Sequence, residues 1–463
     1  MSLADPIPMG GHWTSMFPEG EDLTWRLVPY MLVWGIFGLI FLVSNASLPI
    51  APYNTDMQHP QAWLFVTLFV PDPRKPLPTE KMFTTVDATG NVTETEPLPC
   101  WYDDLVRRYT AARKKAEEED KHTDFDLENE IEPAELFMTL VVPAYNEEHR
   151  LTGMLEEAVN YLENAYGAAN AAAGDIAEIA EEKESLSPSD SKTTRRRKAN
   201  STPKSSSTSS PSSKSSRPAP KGWEILLVDD GSTDDTVLTA QTFSRVHILP
   251  KHPRRASGPW THRSETAVKI PPGSIRMVSL SPNRGKGGAV THGMRHARGQ
   301  YVVFADADGA SDIADLGKLV SACQDAEDAR GRAVAVGSRA HLVGSAAVVQ
   351  RSKLRNFLMH SFHLLLKLMT PPATARIRDT QCGFKLFSRA TLPHIVPHMH
   401  MDGWIFDVEM LMLAEFAGIP VVEVPVGWRE VKGSKLNVLK DSIGMAWGLA
   451  LLRLCWGVGI YRR

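Results

Sequence analysis

Apolar residues run almost without interruption over Leu27–Ser44 (LVPYMLVWGIFGLIFLVS). Eighteen residues at a helical rise of 1.5 Å cover roughly 27 Å, close to a bilayer core of about 30 Å. The pattern therefore predicts one transmembrane helix over 27–46. A second apolar run, Ala62–Val70, is too short to cross as a helix and suits an interface or a packed position under the next domain. From Lys81 to Glu135 the pattern is mixed, and charge dominates Glu117–Glu130. Residues 47–135 thus read as a juxtamembrane and linker region.

Beyond that point the pattern becomes regular. Leu136–Val142 is a short apolar run ending at Pro143, as expected of a buried strand, and a helical pattern follows over Glu147–Tyr166. Further strands are predicted at Glu224–Val228, Ile275–Leu280 and Tyr301–Ala305, with a helix over Gly287–Arg298 behind a glycine-rich turn. Ser232 and Asp235 have the spacing of a capping box for the helix after the second strand. Strands alternating with helices predict an α/β domain over 136–438 with a mostly parallel, Rossmann-like sheet. Residues 171–221, rich in Ala, Glu, Ser, Lys and Pro and containing SSSTSSPSSKSS, bury too little to offset ordering entropy and are expected to be a disordered insertion. Phe357–Met369 is apolar at helical spacing, which fits a core helix or an amphipathic element at a membrane. Ile443–Tyr461 carries one charge, Arg453, among Gly, Trp and aliphatic residues, so 439–463 reads as a membrane-interfacial helical segment.

Composition narrows the class. A formal net charge of -3 gives no basic field for nucleic acid. Four scattered cysteines (Cys100, Cys323, Cys382, Cys455) offer neither a disulfide framework nor a zinc site, and fit a reducing compartment. Ahead of the apolar span, Asp5, Glu19, Glu21 and Asp22 face only Arg26, the reverse of a signal peptide's basic start. Arg74 and Lys75 follow the span, so 1–26 is expected on the lumenal side and the body in the cytosol. Sequons at Asn91 and Asn200 would then go unused.

The candidate chemistry is acidic and lies at strand ends. Asp306-Ala307-Asp308 directly follows YVVFA, where two carboxylates two residues apart suit Mg²⁺ or Mn²⁺ bound together with phosphate oxygens, or simply a hydrogen-bonded turn. Asp229-Asp230-Gly231 occupies the equivalent place after another strand, and ligands of such sheets bind at strand carboxyl ends. Between them, Asn283-Arg284-Gly285-Lys286-Gly287-Gly288 opens a helix, where glycines and Lys286 could admit an anion.

Together, Val141-Val142-Pro143-Ala144-Tyr145-Asn146-Glu147-Glu148, Val228-Asp229-Asp230-Gly231-Ser232-Thr233-Asp234 and Asp306-Ala307-Asp308 resemble the family 2 glycosyltransferases of the GT-A nucleotide-diphospho-sugar transferase fold. Four later motifs narrow the resemblance: Gly337-Ser338-Arg339, Arg351 to Asn356, Asp379 to Lys385, and Trp404 to Glu409. They are similar to the branch that moves glucose from UDP-glucose to dolichyl phosphate at the endoplasmic reticulum membrane for protein N-glycosylation. The sister mannose synthases place Gln two residues after the second motif aspartate, where this chain has Ala310.

The resemblance implies that Pro143, Ala144, Glu147 and one of Asp229 and Asp230 hold the uridine, with Asp308 and nearby Asp306 on the metal. It leaves Arg339, Arg351, Arg355 and Lys435 as cations for an acceptor phosphate. Lys286 and Gln381 join the substrate-binding set, and Asp407 and Glu409 either bind sugar hydroxyls or pair with arginines. Two rivals remain: a polyprenyl-phosphate mannose or other hexose synthase, and a catalytically silent membrane scaffold.

Overall fold

The computed structural model describes residues 73–118, 131–167, 220–248, 268–342, 353–431, 438–457 and 460–461, without the side chains of 353–360 and 438–440. The expected transmembrane helix 27–46, the Ala62–Val70 run and most of the 171–221 insertion lie outside them. Among the described residues no helix is long and apolar enough to cross a membrane. The chain divides into a large unit, Phe69–Arg453 with Tyr461–Arg463, and a second, Met1–Leu68 with Leu454–Ile460. The candidate site lies within the large unit.

The large unit opens with an arm. A 3-10 turn, Pro78–Lys81, leads into a two-stranded hairpin of β1 (Met82–Phe83) and β2 (Glu96–Pro97), then helix α1 (Trp101–Glu118). The sequence reading placed this stretch within a linker. Instead, Thr84 and Met277 exchange both backbone hydrogen bonds at 3.0 and 2.9 Å, which docks the arm on the edge of the main sheet. Phe83 and Leu98 bury against Leu226 and Val278.

The main sheet contains β3 (Leu136–Ala144), β4 (Trp223–Asp229), β5 (Ile275–Ser279), β6 (Gly299–Ala305), β7 (Val334–Ser338), β8 (Phe384–Ser388) and β9 (Val421–Pro425). Their order is β5-β4-β3-β6-β8-β7-β9. β8 runs antiparallel to both neighbours and every other pairing is parallel. β3 and β4 are central strands covered on both faces, which is why they read as continuous apolar runs rather than alternating ones. Helices α2 (Leu151–Tyr166), α3 (Thr236–Ile248), α4 (Lys286–Arg295) and α5 (Leu316–Ala326) supply the crossovers. Then come α6 (Lys353–Met369), α7 (Pro372–Arg376), α8 (Leu392–Ile395), α9 (Phe406–Phe416) and the terminal α10 (Val438–Gly457).

α4 packs close to the sheet because Gly293 has no side chain: a Cβ there would lie 2.5 Å from Val141 Cγ1. After β5 the chain crosses back over β3 to start β6, so the strand order reverses between β3 and β6. That reversal opens a crevice at the strands' carboxyl ends. Both acidic turns predicted from the sequence fall there.

Candidate active site

Two turns form one wall of the crevice, and each holds the other. Asn146 follows β3 in the left-handed region (φ 54), which Asn tolerates better than most residues. Its backbone N–H donates to Ser232 Oγ (2.8 Å), and its Oδ1 accepts from Thr233 N (2.7 Å). Ser232 therefore does not cap α3 with Asp235 as expected; the Thr236 N–H at the helix start is met by Asp234 Oδ1 at 3.1 Å. Asp229 turns inward to accept from Ser232 N at 3.1 Å. Asp230 grips the loop after β5, accepting from Arg284 N (2.7 Å) and Gly285 N (2.8 Å) through separate oxygens. Burial pushes the Asp230 carboxyl up to about 6 against the pull of those two amides.

The acidic pair stands at the end of β6. Asp308 Oδ1 accepts from Ala310 N at 3.0 Å, and Oδ2 lies 3.6 Å from Arg150 Nη1. Burial, and then Asp306 beside it, raise the Asp308 pKa. Lys286 Nζ sits 2.6 Å from Asp306 Oδ1 and 5.6 Å from the Trp404 ring centroid. The Lys286 ammonium is thus the partner of Asp306 Oδ1. Burial alone would lower the Lys286 pKa, but Asp306, Asp407 and Asp308 outweigh it and the pKa is raised. Gly383, just ahead of β8, lies directly against the pair: a Cβ there would meet Asp306 Oδ2 at 2.2 Å.

This arrangement fits a divalent cation. Among the described residues no group of three or more His, Cys, Asp or Glu side chains is placed to hold one, and Ala310 offers no side-chain ligand. Two neighbouring carboxylates at a strand end nevertheless suit Mg²⁺, which commonly takes one or two carboxylates and completes its shell with phosphate oxygens and water.

Several predicted site residues have other partners. Asp407 pairs with Lys385, both buried beneath the crevice, and Lys385 Nζ also donates to Cys382 O at 2.6 Å. Glu409 accepts from the backbone N–H groups of His400 (3.0 Å) and Met401 (2.8 Å), so it organises the loop before α9. Neither carboxylate is placed for sugar hydroxyls as anticipated. Gln381 Nε2 donates to Met445 Sδ (2.8 Å). Arg339 forms a bidentate pair with Asp379 at 2.7 and 2.8 Å, which commits its Nε and Nη2.

The loop glycines serve packing more than anion approach. A Cβ on Gly285 or Gly287 would lie 2.6 Å from Asp402 O or 2.5 Å from Met401 O, and Gly288 N donates to Asp402 O at 3.1 Å. Pro143 and Ala144 end β3 on the crevice, as expected. Glu147 is held by Arg150 through two hydrogen bonds of 2.7 and 2.6 Å. Arg351 and Lys435 lie outside the described residues, and Arg355 falls in α6 without a described side chain. Burial pushes the Cys382 thiol up to about 11, in keeping with a packing role.

The sequence reading missed Arg150, which links Glu147 to Asp308; the three-residue spacing from Glu147 was its only signal. It gave no site role to Gly383 or Trp404, which it met only inside motifs, and passed over Asp402; their places depend on long-range packing.

A mostly parallel sheet with an acidic pair at its switch point is the GT-A-like arrangement, and residues 264–390 match the model for glycosyl transferase family 2. The dolichyl-phosphate beta-glucosyltransferase of Saccharomyces cerevisiae is 33% identical over 406 residues, covering 86% of this chain and 91% of its own. That of Drosophila melanogaster is 35% identical (71% and 77% covered), and that of Homo sapiens 32% (70% and 77%). The chain belongs to the dolichyl-phosphate β-glucosyltransferases. A solved glucosyl-3-phosphoglycerate synthase from Mycobacterium tuberculosis aligns at a TM-score of 0.38 and 16% identity, covering 69% of this chain and 80% of its own, too distant to bear on the site.

Proposed function

We propose that this protein transfers glucose from UDP-glucose to dolichyl phosphate with inversion, giving dolichyl β-D-glucosyl phosphate. The setting we assign is the endoplasmic reticulum membrane, with one N-terminal span and the catalytic domain facing the cytosol. Family membership supports the reaction. The observation that carries the mechanism is the Asp306/Asp308 pair at the β6 end, with two cations, Arg150 and Lys286, at its rim.

In this reading Asp308 and Asp306 hold Mg²⁺ or Mn²⁺, which when bound stabilises charge growing on the UDP leaving group. Pro143, Ala144 and the turn around Glu147 form the uridine end, and the Asp230-held loop presents Lys286 towards the diphosphate. An oxygen of the acceptor phosphate attacks the sugar's anomeric carbon while the bond to UDP breaks, and UDP departs with that electron pair. The acceptor's second pKa is near 6, so it reaches the site largely as a dianion and needs little general-base help. It needs positive charge instead. With two nitrogens of Arg339 committed to Asp379, that role falls chiefly to Arg351, Arg355 and Lys435.

The test is an assay of membranes carrying the enzyme with labelled UDP-glucose, with and without dolichyl phosphate. An acid-labile, lipid-extractable glucose product that depends on the acceptor is expected. Product from GDP-mannose in its place would refute the donor assignment, and a trapped glycosyl-enzyme adduct would refute the single displacement.

A further inference from the structure

The arm ahead of the catalytic sheet does more than cover it. Glu80 is fully buried although it lies in a short surface turn. Its carboxylate accepts from Arg74 Nη1 (2.8 Å), from Leu77 N (2.8 Å), and from Ser281 N (2.8 Å), the first residue beyond the β5 strand and its Leu280 neighbour. Arg74 also binds Glu80 through Nη2 and reaches Pro282 O at 3.3 Å. The Glu80 carbonyl meets His292 Nε2 on α4 at 2.9 Å. Further along the arm, Pro99 O meets His296 Nδ1 (2.8 Å), and Trp101 Nε1 donates to Met294 O (2.7 Å). The arm therefore holds the C-terminal part of α4, and Arg74 with Glu80 holds the loop that leads into the helix.

That loop is the one Asp230 grips from the opposite side. Asn283 Nδ2 donates to Asp230 O at 2.8 Å, beside the Arg284 and Gly285 contacts, and Lys286 follows at once, 2.6 Å from Asp306. Residues 281–286 are thus clamped between the nucleotide wall and the arm's ion pair, in which Glu80 is buried and Arg74 partly exposed.

We infer that Arg74 and Glu80 are positioning residues for donor binding: they fix the Ser281–Lys286 loop so that the Asp230 turn keeps its place at the uridine end and Lys286 meets the nucleotide diphosphate in register. Neither touches substrate. The inference rests on the UDP-dependent reading above.

The experiment uses the full-length enzyme in detergent or nanodiscs, measuring UDP binding by calorimetry and turnover with UDP-glucose. Arg74→Ala should weaken UDP binding and raise KM for UDP-glucose about tenfold, the size of one lost charge-assisted hydrogen bond, with kcat within about twofold. Arg74→Lys should recover part of that loss. Glu80→Gln should behave as Arg74→Ala does, and if it fails to fold, Arg74→Ala still decides, since the Arg74 side chain is about a third exposed at 32%. Asp103→Asn, which breaks the exposed Lys81–Asp103 pair on the same arm, should leave UDP binding unchanged. A lowered melting temperature for Arg74→Ala with unaltered UDP affinity would make the clasp purely structural and overturn the inference. Wild-type enzyme that binds no UDP would overturn the functional reading itself, and this inference with it.

Discussion

Gly383→Ala should disable the acidic pair while leaving the fold almost untouched. The added methyl would sit 2.2 Å from Asp306 Oδ2, 2.5 Å from Cγ and 2.6 Å from Oδ1. Carbon and oxygen rarely approach within about 3 Å, so the carboxylate must retreat by about 1 Å. The obstructing atoms are the end of a partly exposed side chain rather than backbone, so the stability cost should stay within about 1 kcal/mol. Geometry at a metal–diphosphate site is far less forgiving. A displacement of about 1 Å there costs on the order of 100-fold in kcat/KM. The assay is lipid-linked glucose formation across a Mg²⁺ and Mn²⁺ titration, with thermal unfolding measured in parallel. A variant within about threefold of wild type, with unchanged metal dependence, would refute the placement of Asp306 on the cation. A collapse in melting temperature would refute the claim that the clash is cheap.

The buried Lys385–Asp407 pair predicts that Asp407→Asn alone destabilises by about 3–5 kcal/mol, whereas Lys385→Met with Asp407→Leu recovers most of the loss; denaturant unfolding separates the two. Glu409→Gln should cost about 1–3 kcal/mol by weakening its hold on the His400 and Met401 amides, with KM for UDP-glucose unchanged. A raised KM without lost stability would restore Glu409 to the sugar site. Asp230 titrates at about 6 in the folded chain, against 3.8 for an unperturbed carboxyl. Its ionisation therefore erodes stability as pH rises from about 4 to 6, yet the Arg284 and Gly285 amides require the ionised form. UDP affinity should fall as pH drops below about 6, and Asp230→Asn should flatten that profile in calorimetric titrations.

The first half of the sheet was legible because its strands are buried on both faces. LFMTLVV and EILLV carry two polar residues, Thr139 and Glu224, and these pair with each other at 2.8 Å. The second half was not. β8 (FKLFS) holds a buried lysine that breaks the apolar signal, and β9 (VVEVP) is only partly covered. β7 ends in Gly-Ser, which reads as a turn. The acidic pair was visible because it is contiguous with a strand. Lys286 was visible as a candidate anion contact, but its pairing with Asp306 and the approach of Gly383 were not, since these come from distant stretches that only the sheet order brings together. Asp407 and Glu409 misled for a related reason: a carboxylate beside aromatic residues looks the same in sequence whether it faces a sugar or a buried lysine.

The docked arm also has a temporal consequence. Thr84 pairs with Met277, a partner made roughly 190 residues later, and Trp101 waits for Met294. At about 5–20 residues per second, that separation is about 10–40 s of translation. Throughout that interval Phe83, Leu98, Trp101 and Leu105 have no completed surface to cover, so the arm, although made before the sheet, is among the last parts to be shielded from water. A slowed ribosome or a scarcity of chaperones should therefore be felt in the arm, which waits longer for its partner than β3 waits for β6.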